Sequence, residues 1–326
     1  MLKLINSCLV SVTLSMVRIG TLLCFILLIS SCKKKGASLE EVLQFPSYPS
    51  ASAIEYFRNH YYIMGDDATH LLVLDSSLHV SDSIRIAPGN YKRIPKDIKQ
   101  DFEAASIVHS GNSRQLLLTG SGSVTPTRDS ACLYDIEMDT LKTFSLDTFY
   151  RRIKARGLEE LNLEGACATS LGFIFASRGH KAFRKNYLVM TSSQFWEKQS
   201  TAPIALIKIG ANIDSNSFQG VSGLAYIRNG DRLLISVSTE DTKSVHEDGA
   251  IGKSYLWIVD NISAKRRWNS INPNRVIDLE KTDSRFKGNK IESVCVIKET
   301  RRGLQLALVA DNDDGGSKLF ILDISL

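Results

Sequence analysis

One unit recurs five times along this chain of 326 residues, and that repeat restricts the fold more than any other feature of the sequence. Each copy opens on small residues, runs through a turn into a dense apolar strand and ends that strand in a polar cluster. A third strand closing on Asp often follows. The clearest copy is the last, NKIESVCVIKETRRGLQLALVADNDDGGSKLFILDI, residues 289–324. The first is PSASAIEYFRNHYYIMGDDATHLLVLDSS (49–77). Between them lie DFEAASIVHSGNSRQLLLTGSG (101–122) with ACLYDIEMDT (131–140), and NLEGACATSLGFIFASRGH (162–180) with KNYLVMTS (185–192). The fourth copy is FQGVSGLAYIRNGDRLLISVSTED (218–241) with SYLWIVDN (254–261). Copies recur about every 53 to 73 residues, the scale of a propeller blade with loop insertions. The segments are short, rich in Val, Ile, Leu and Tyr, and punctuated by turn signals such as Asn229-Gly230-Asp231 and Gly315-Gly316. Helical periodicity is confined to 147–161, so the chain reads as all-β.

Four copies also supply a fourth strand: 80–86, 141–146, 205–209 and 275–279. The last copy stops at Leu326 without one. The extended segment EEVLQFPSY (40–48) can fill that place, and pairing first with last closes the ring and hides its edges. The sequence therefore predicts a β-propeller of five four-stranded blades over 40–326, closed by the N-terminal strand. A sixth, degenerate blade within 124–160 or 240–290 is the alternative; a two-sheet sandwich gives no reason for a repeat.

Aligning the copies stacks residues into two rings around the expected channel. The first holds Ser50, Glu103, Glu164, Gln219 and Glu292. The second follows the apolar second strand: Asp66 and Asp67, Ser121, Arg178, Glu240 and Asp241, then Asp311 with Asp313 and Asp314. If both rings face one mouth, Glu103, Glu164, Arg178, Gln219, Glu292 and Asp311 form a ligand-binding set. Converging carboxylates repel unless a cation or Arg compensates. Asp66, Glu164, Glu292 and Asp311 are accordingly the candidate ligands of a hard, oxygen-seeking ion, calcium. The alternatives stay open: Asp at a β-turn caps its own backbone, and Glu at the start of an inner strand can pair with a neighbouring blade's Arg or Lys. His180, two residues after Arg178, is the only histidine near the expected mouth. There is no GxSxG, HExxH or CxxC, so serine hydrolase and structural zinc chemistry have no motif. Cys167 and Cys295, each three residues after a ring glutamate, read as small apolar packing residues.

The stretches NLEGACA…GFIFASRGH and IESVCV…LALVADNDDGGSKLFILDI resemble the repeat of bacterial propellers of the phytase-esterase-like type. They also resemble related propellers regulated by a quorum-sensing receptor. Over roughly residues 40–326 the chain is similar to a family of propeller lipoproteins from Bacteroidetes-like bacteria. This resemblance implies the propeller fold, and for an enzyme a calcium-dependent phosphoric ester hydrolase. Only Glu164-Gly165 keeps the Glu-Gly opening intact, and Ser50 and Gln219 depart from the Glu pattern.

The N-terminal stretch LLISSCKKKG (27–36) ends an apolar run in small residues and a cysteine, then turns basic. It reads as a lipoprotein signal, with residues 1–31 removed, Cys32 carrying the lipid and 32–39 as a tether. An ordinary secretory signal or a single span is the alternative, although Ile19–Ile29 is about half the roughly 20 residues a spanning helix needs. Met16 is a second candidate start. Removing the signal takes away Lys3 and Arg18 and lowers the formal charge from +5 to +3, too mild an excess for a nucleic-acid binder.

These readings combine into a lipid-anchored, extracytoplasmic propeller of the cell envelope, facing the periplasm or on the outer membrane, expected as a monomer. Its partners are the membrane through Cys32, and an envelope protein, glycan or small ligand at the channel mouth. A calcium-dependent hydrolase and a purely structural scaffold are the other two classes.

Overall fold

The computed structural model describes residues 36–111, 113–180, 182–210, 218–240, 251–301, 303–311 and 315–326. Cys32, Asp241, Asp313, Asp314 and the side chain of Glu240 lie outside the described residues. Ala37–Leu326 is one compact unit. It contains five antiparallel blades, each built from consecutive hairpins. Blade 1 comprises Ala51–Phe57, His60–Gly65, His70–Asp75 and Val80–Arg85; blade 2 comprises Phe102–Ser110, Ser113–Gly120, Ser130–Asp135 and Thr140–Ser145. Blade 3 comprises Leu163–Thr169, Gly172–Ser177, Asn186–Thr191 and Ala205–Ile209, with the two-residue strand Ser270–Ile271 added in parallel at its outer edge. Blade 4 comprises Gln219–Ile227, Arg232–Glu240, Ile251–Val259 and Arg275–Asp278. Blade 5 takes Lys290–Glu299, Gly303–Asp311 and Ser317–Ser325 from the end of the chain and its outer strand, Ala37–Phe45, from the beginning. That strand starts three residues inside the segment expected to be a tether. The five innermost strands touch in the order 1 to 5, and the fifth touches the first, so the ring is closed. The segments considered for a sixth blade are otherwise used: 147–154 is a helix, 251–259 and 275–278 are strands of blade 4, and 270–271 adds to blade 3.

Every inner strand carries a register shift at its start, where one residue of the strand has no opposite number. The extra residues are Ser52, Glu103, Glu164, Ser222 and Glu292. A bulge re-aims the side chain it carries, here sideways toward the next blade. The Ser52 hydroxyl donates to the carbonyl of Phe102 at 2.6 Å, and Ser222 to that of Ile291 at 2.8 Å. The residue after each bulge is small: Ala53, Ala104, Gly165, Gly223 and Ser293. The reason is close backbone approach. A Cβ on Gly165 would stand 2.9 Å from the backbone of Gly223, and one on Gly223 2.7 Å from the Cα of Ser293.

Alternation along the inner and middle strands sends one set of side chains toward each neighbouring blade, so the core is five apolar seams. The seam between blades 2 and 3 is aromatic: Phe149 of the helix Asp147–Lys154 and Phe173 both pack on Phe175 and Phe195, whose ring centroids are 5.1 Å apart. Each such fully buried ring contributes about 1.5–3 kcal/mol. Cys132, Cys167 and Cys295 are buried, unpaired thiols in these seams. No helix among the described residues is long and apolar enough to cross a membrane.

Candidate functional site

Because the blades are antiparallel, inner-strand starts and second-strand ends share one face. The two rings of charged residues therefore meet there, around one mouth. The register differs from the sequence alignment in two blades. Ser52 and Ser222, not Ser50 and Gln219, occupy the position of Glu103, Glu164 and Glu292. Ser50 and Gln219 lie just upstream and still border the mouth. In the second ring Asp66, Ser121, Arg178 and Asp311 are equivalent, while blade 4 places Ser238 there, two residues before Glu240.

The carboxylates sit in a dense ion network. Asp66, Asp101 and Glu103 each place an oxygen within 4.8 Å of the others. The Lys99 ammonium bridges Asp66 and, at 2.7 Å, Asp101. Asp101 also holds Arg128 at 2.8 Å and accepts from the Ser121 hydroxyl at 2.5 Å. Burial pushes Asp66 up to about 6 despite the pull of Lys99. Glu103 is pushed well above the usual carboxylate range, first by burial and then by Asp101, Asp66 and Glu164. Burial alone would depress Lys99, but Asp66, Asp101 and Glu103 hold its charge up. Blade 1 is tied in by Arg93, whose guanidinium meets Asp67 at 2.6 Å and donates to Ser50 at 2.9 Å, within the field of Asp311.

Across the mouth, Glu164 accepts from Asn162 at 2.6 Å and faces Arg178 at 3.7 Å. Arg178 lies where a side chain at position 220 would be: a Cβ on Gly220 would come within 2.6 Å of its Nε. Glu292 pairs with Lys290 at 2.9 Å. His180 is buried and bonded to Glu160 on the rim. Five buried oxygens around this mouth have no hydrogen-bond partner among the described residues: the Ser238 hydroxyl, and the acceptors Asp66 Oδ1, Asp67 Oδ1, Gln219 Oε1 and Glu292 Oε2. They come from blades 1, 4 and 5, and the four carboxylate and amide oxygens among them only accept.

Sequence reasoning missed Asp101, Asn162 and Lys290, although a signal existed: each stands two residues before its bulge, as Ser50 and Gly220 do. Arg93 and Lys99 had no such signal, because they arrive on the connection 86–101, outside the repeat. A separate cavity of about 440 Å³ opens between blades 2 and 3 on the opposite face, lined by Gln115, Asp135, Phe144 and Trp196 among others. Asp135 there is committed to the turn, accepting from the N–H groups of Glu137 and Met138 and from Gln115.

Fold and site together define a five-bladed β-propeller with a charged mouth built from all five blades. The chain belongs to the family described as "Family of unknown function (DUF6929)", which matches residues 47–324. No curated protein sequence matches it. Among solved structures it is similar to the Malassezia sympodialis allergen Mala s 1, at 12% identity and TM-score 0.50 over 88% of this chain and 97% of that one. Myxococcus xanthus glutaminyl cyclase matches at 10% identity and TM-score 0.49 over 89% and 97%. Staphylococcus aureus virginiamycin B lyase matches at 8% and 0.36 over 87% and 99%. At such identities the likeness to the allergen shows a shared fold and nothing of activity.

Proposed function

We propose that this protein is a lipid-anchored, extracytoplasmic binding propeller whose mouth takes a ligand bearing protonated amino groups, such as a peptide amine or an amino sugar. The observation that carries this reading is the set of four donorless acceptor oxygens from blades 1, 4 and 5. Each buried acceptor left unmatched costs about 1–3 kcal/mol, which donors inserted among them recover. Lys99, Arg93 and Arg178 already neutralise most of the carboxylates, so hydrogen bonding rather than bulk charge selects the ligand. In a thermal-shift series on residues 37–326, glucosamine and a lysine-containing dipeptide are expected to raise the melting temperature. The Glu164→Gln, Glu292→Gln double variant should lose that rise. No response to any amine would remove this reading.

The anchor rests on Ser30-Ser31-Cys32. Cys32→Ala is expected to abolish acylation, leaving the product uncleaved or soluble on membrane fractionation; continued membrane partition of a cleaved variant would contradict it.

A second reading, the calcium-dependent phosphoric ester hydrolase, is favoured by the spacing of Asp66, Asp101 and Glu103. These carboxylates have the donor type calcium takes, with Lys99 as its competitor at the same oxygens. Bound there, calcium would act as a Lewis acid on an ester oxygen. A melting temperature raised by millimolar calcium but by no amine would favour this reading over the first.

A further inference from the structure

The face opposite the mouth carries a different chemistry. It is formed by the hairpins between first and second strands and by the loops joining third to fourth strands. The first hairpins present exposed arginines: Arg228 in blade 4 and Arg301 in blade 5, neither in an ion pair among the described residues. Blade 3 presents exposed Leu171 at the same place. Beside it projects the finger Lys265-Arg266-Arg267-Trp268, in which Trp268 is 54% exposed.

The finger is held firmly. The N–H and hydroxyl of Ser263 donate to Asp231 at 2.9 and 2.8 Å, and the N–H of Ile262 to the Asp231 carbonyl at 2.9 Å. Arg266 reaches the Leu171 carbonyl at 3.3 Å, and the Lys265 ammonium lies 5.8 Å from the centre of the Trp268 ring. Met138, also on this face, is 71% exposed. Part of the face is internally neutralised, since Arg58 pairs with Glu137 and Arg232 with Asp260.

We propose that this face docks on an anionic lipid bilayer. Trp268 enters the headgroup layer, flanked by Leu171, and the arginines around it meet lipid phosphates. Tryptophan is the side chain suited to that layer, with an apolar body and one N–H donor. Each basic residue near an anionic surface adds about 1 kcal/mol. The point of chain entry agrees. Ala37 pairs with Ile324, next to the blade 5 hairpin that bears Arg301, so the compact unit begins on this same face. The docked molecule would turn its mouth away from the membrane. The inference goes beyond the mouth reading and needs no lipid on Cys32.

Its test uses the compact unit 37–326, which contains the whole ring and lacks Cys32. The unit is sedimented with vesicles of phosphatidylcholine alone or with one-third phosphatidylglycerol, while tryptophan emission is followed. Binding is expected only with phosphatidylglycerol, with a blue shift and with loss at high salt. Trp268→Ser should abolish the blue shift. Arg228→Glu with Arg267→Glu should weaken binding at least tenfold, with circular dichroism unchanged because these side chains are exposed. Equal binding to both vesicle types, no binding to either, or binding unaltered in the variants would overturn the proposal.

Discussion

A chain beginning at Pro49 is expected to melt at least about 10 °C below one beginning at Gly36, and to aggregate as it does so. The missing segment includes the outer strand of blade 5, which pairs with Ser317–Ile324 from Ala37 to Phe45, broken only by a bulge at Glu40. Its loss uncovers Leu39 from the seam between blades 4 and 5, worth about 1.5–3 kcal/mol. It also removes Tyr48, whose hydroxyl shares its one proton between the carbonyls of Ile63 and His70 at 2.8 and 2.9 Å and accepts from the Gly65 N–H at 3.1 Å. Those bonds contribute about 1 kcal/mol each. The exposed edge is apolar and unpaired, a template for association. An unchanged melting curve would mean that the ring does not depend on its N-terminal closure.

Glu55→Gln is expected to stabilise the protein, by about 3 kcal/mol at pH 7. Glu55 lies three residues after the bulge of blade 1, with its carboxyl within reach of the Ile107 N–H on the inner strand of blade 2. The equivalent residues of the other blades are Ser106, Cys167, Ala225 and Cys295. Desolvation pushes its carboxyl up to about 8, against the N–H groups of Ile107 and Tyr56, which favour the anion. Glu55 is thus protonated when folded and ionised when unfolded between about pH 4.5 and 8. In that window the folded state binds more protons, so stability falls as pH rises and the loss is complete above about pH 8. Glutamine cannot ionise and escapes the loss. Denaturant unfolding at pH 5 and pH 9 should show the two proteins converging at acid pH and separating at alkaline pH. Asp66 and Glu103 titrate in both proteins and cancel in the difference. A separation that does not change with pH would place Glu55 in contact with water instead.

The reach of the sequence can be judged from these same residues. Blade number, strand order and N-terminal closure were legible because each blade is a local run of hairpins, and only the closing strand pairs across the length of the chain. Glu103, Glu164 and Glu292 were legible because a bulge followed by a small residue leaves a repeat mark, as in Glu164-Gly165. Ser52 and Ser222 escaped because serine at a bulge bonds the next blade through its hydroxyl and looks like any turn serine. Glu55 was passed over because three of its equivalents, Cys167, Cys295 and Ala225, are ordinary packing residues. Arg93 and Lys99 were invisible because their role depends on how the connection 86–101 folds back over the mouth, which no periodicity records.

The mouth assembled from five blades is expected to act as a single site for a donor-bearing ligand. Calorimetric titration of residues 37–326 with glucosamine tests it most directly. One saturable site is predicted, weakened about tenfold or more by Glu292→Gln and again by Glu164→Gln, since hydrogen bonds to charged groups contribute about 1.5–3 kcal/mol each. The absence of binding heat, or an affinity the same in wild type and both variants, would contradict it.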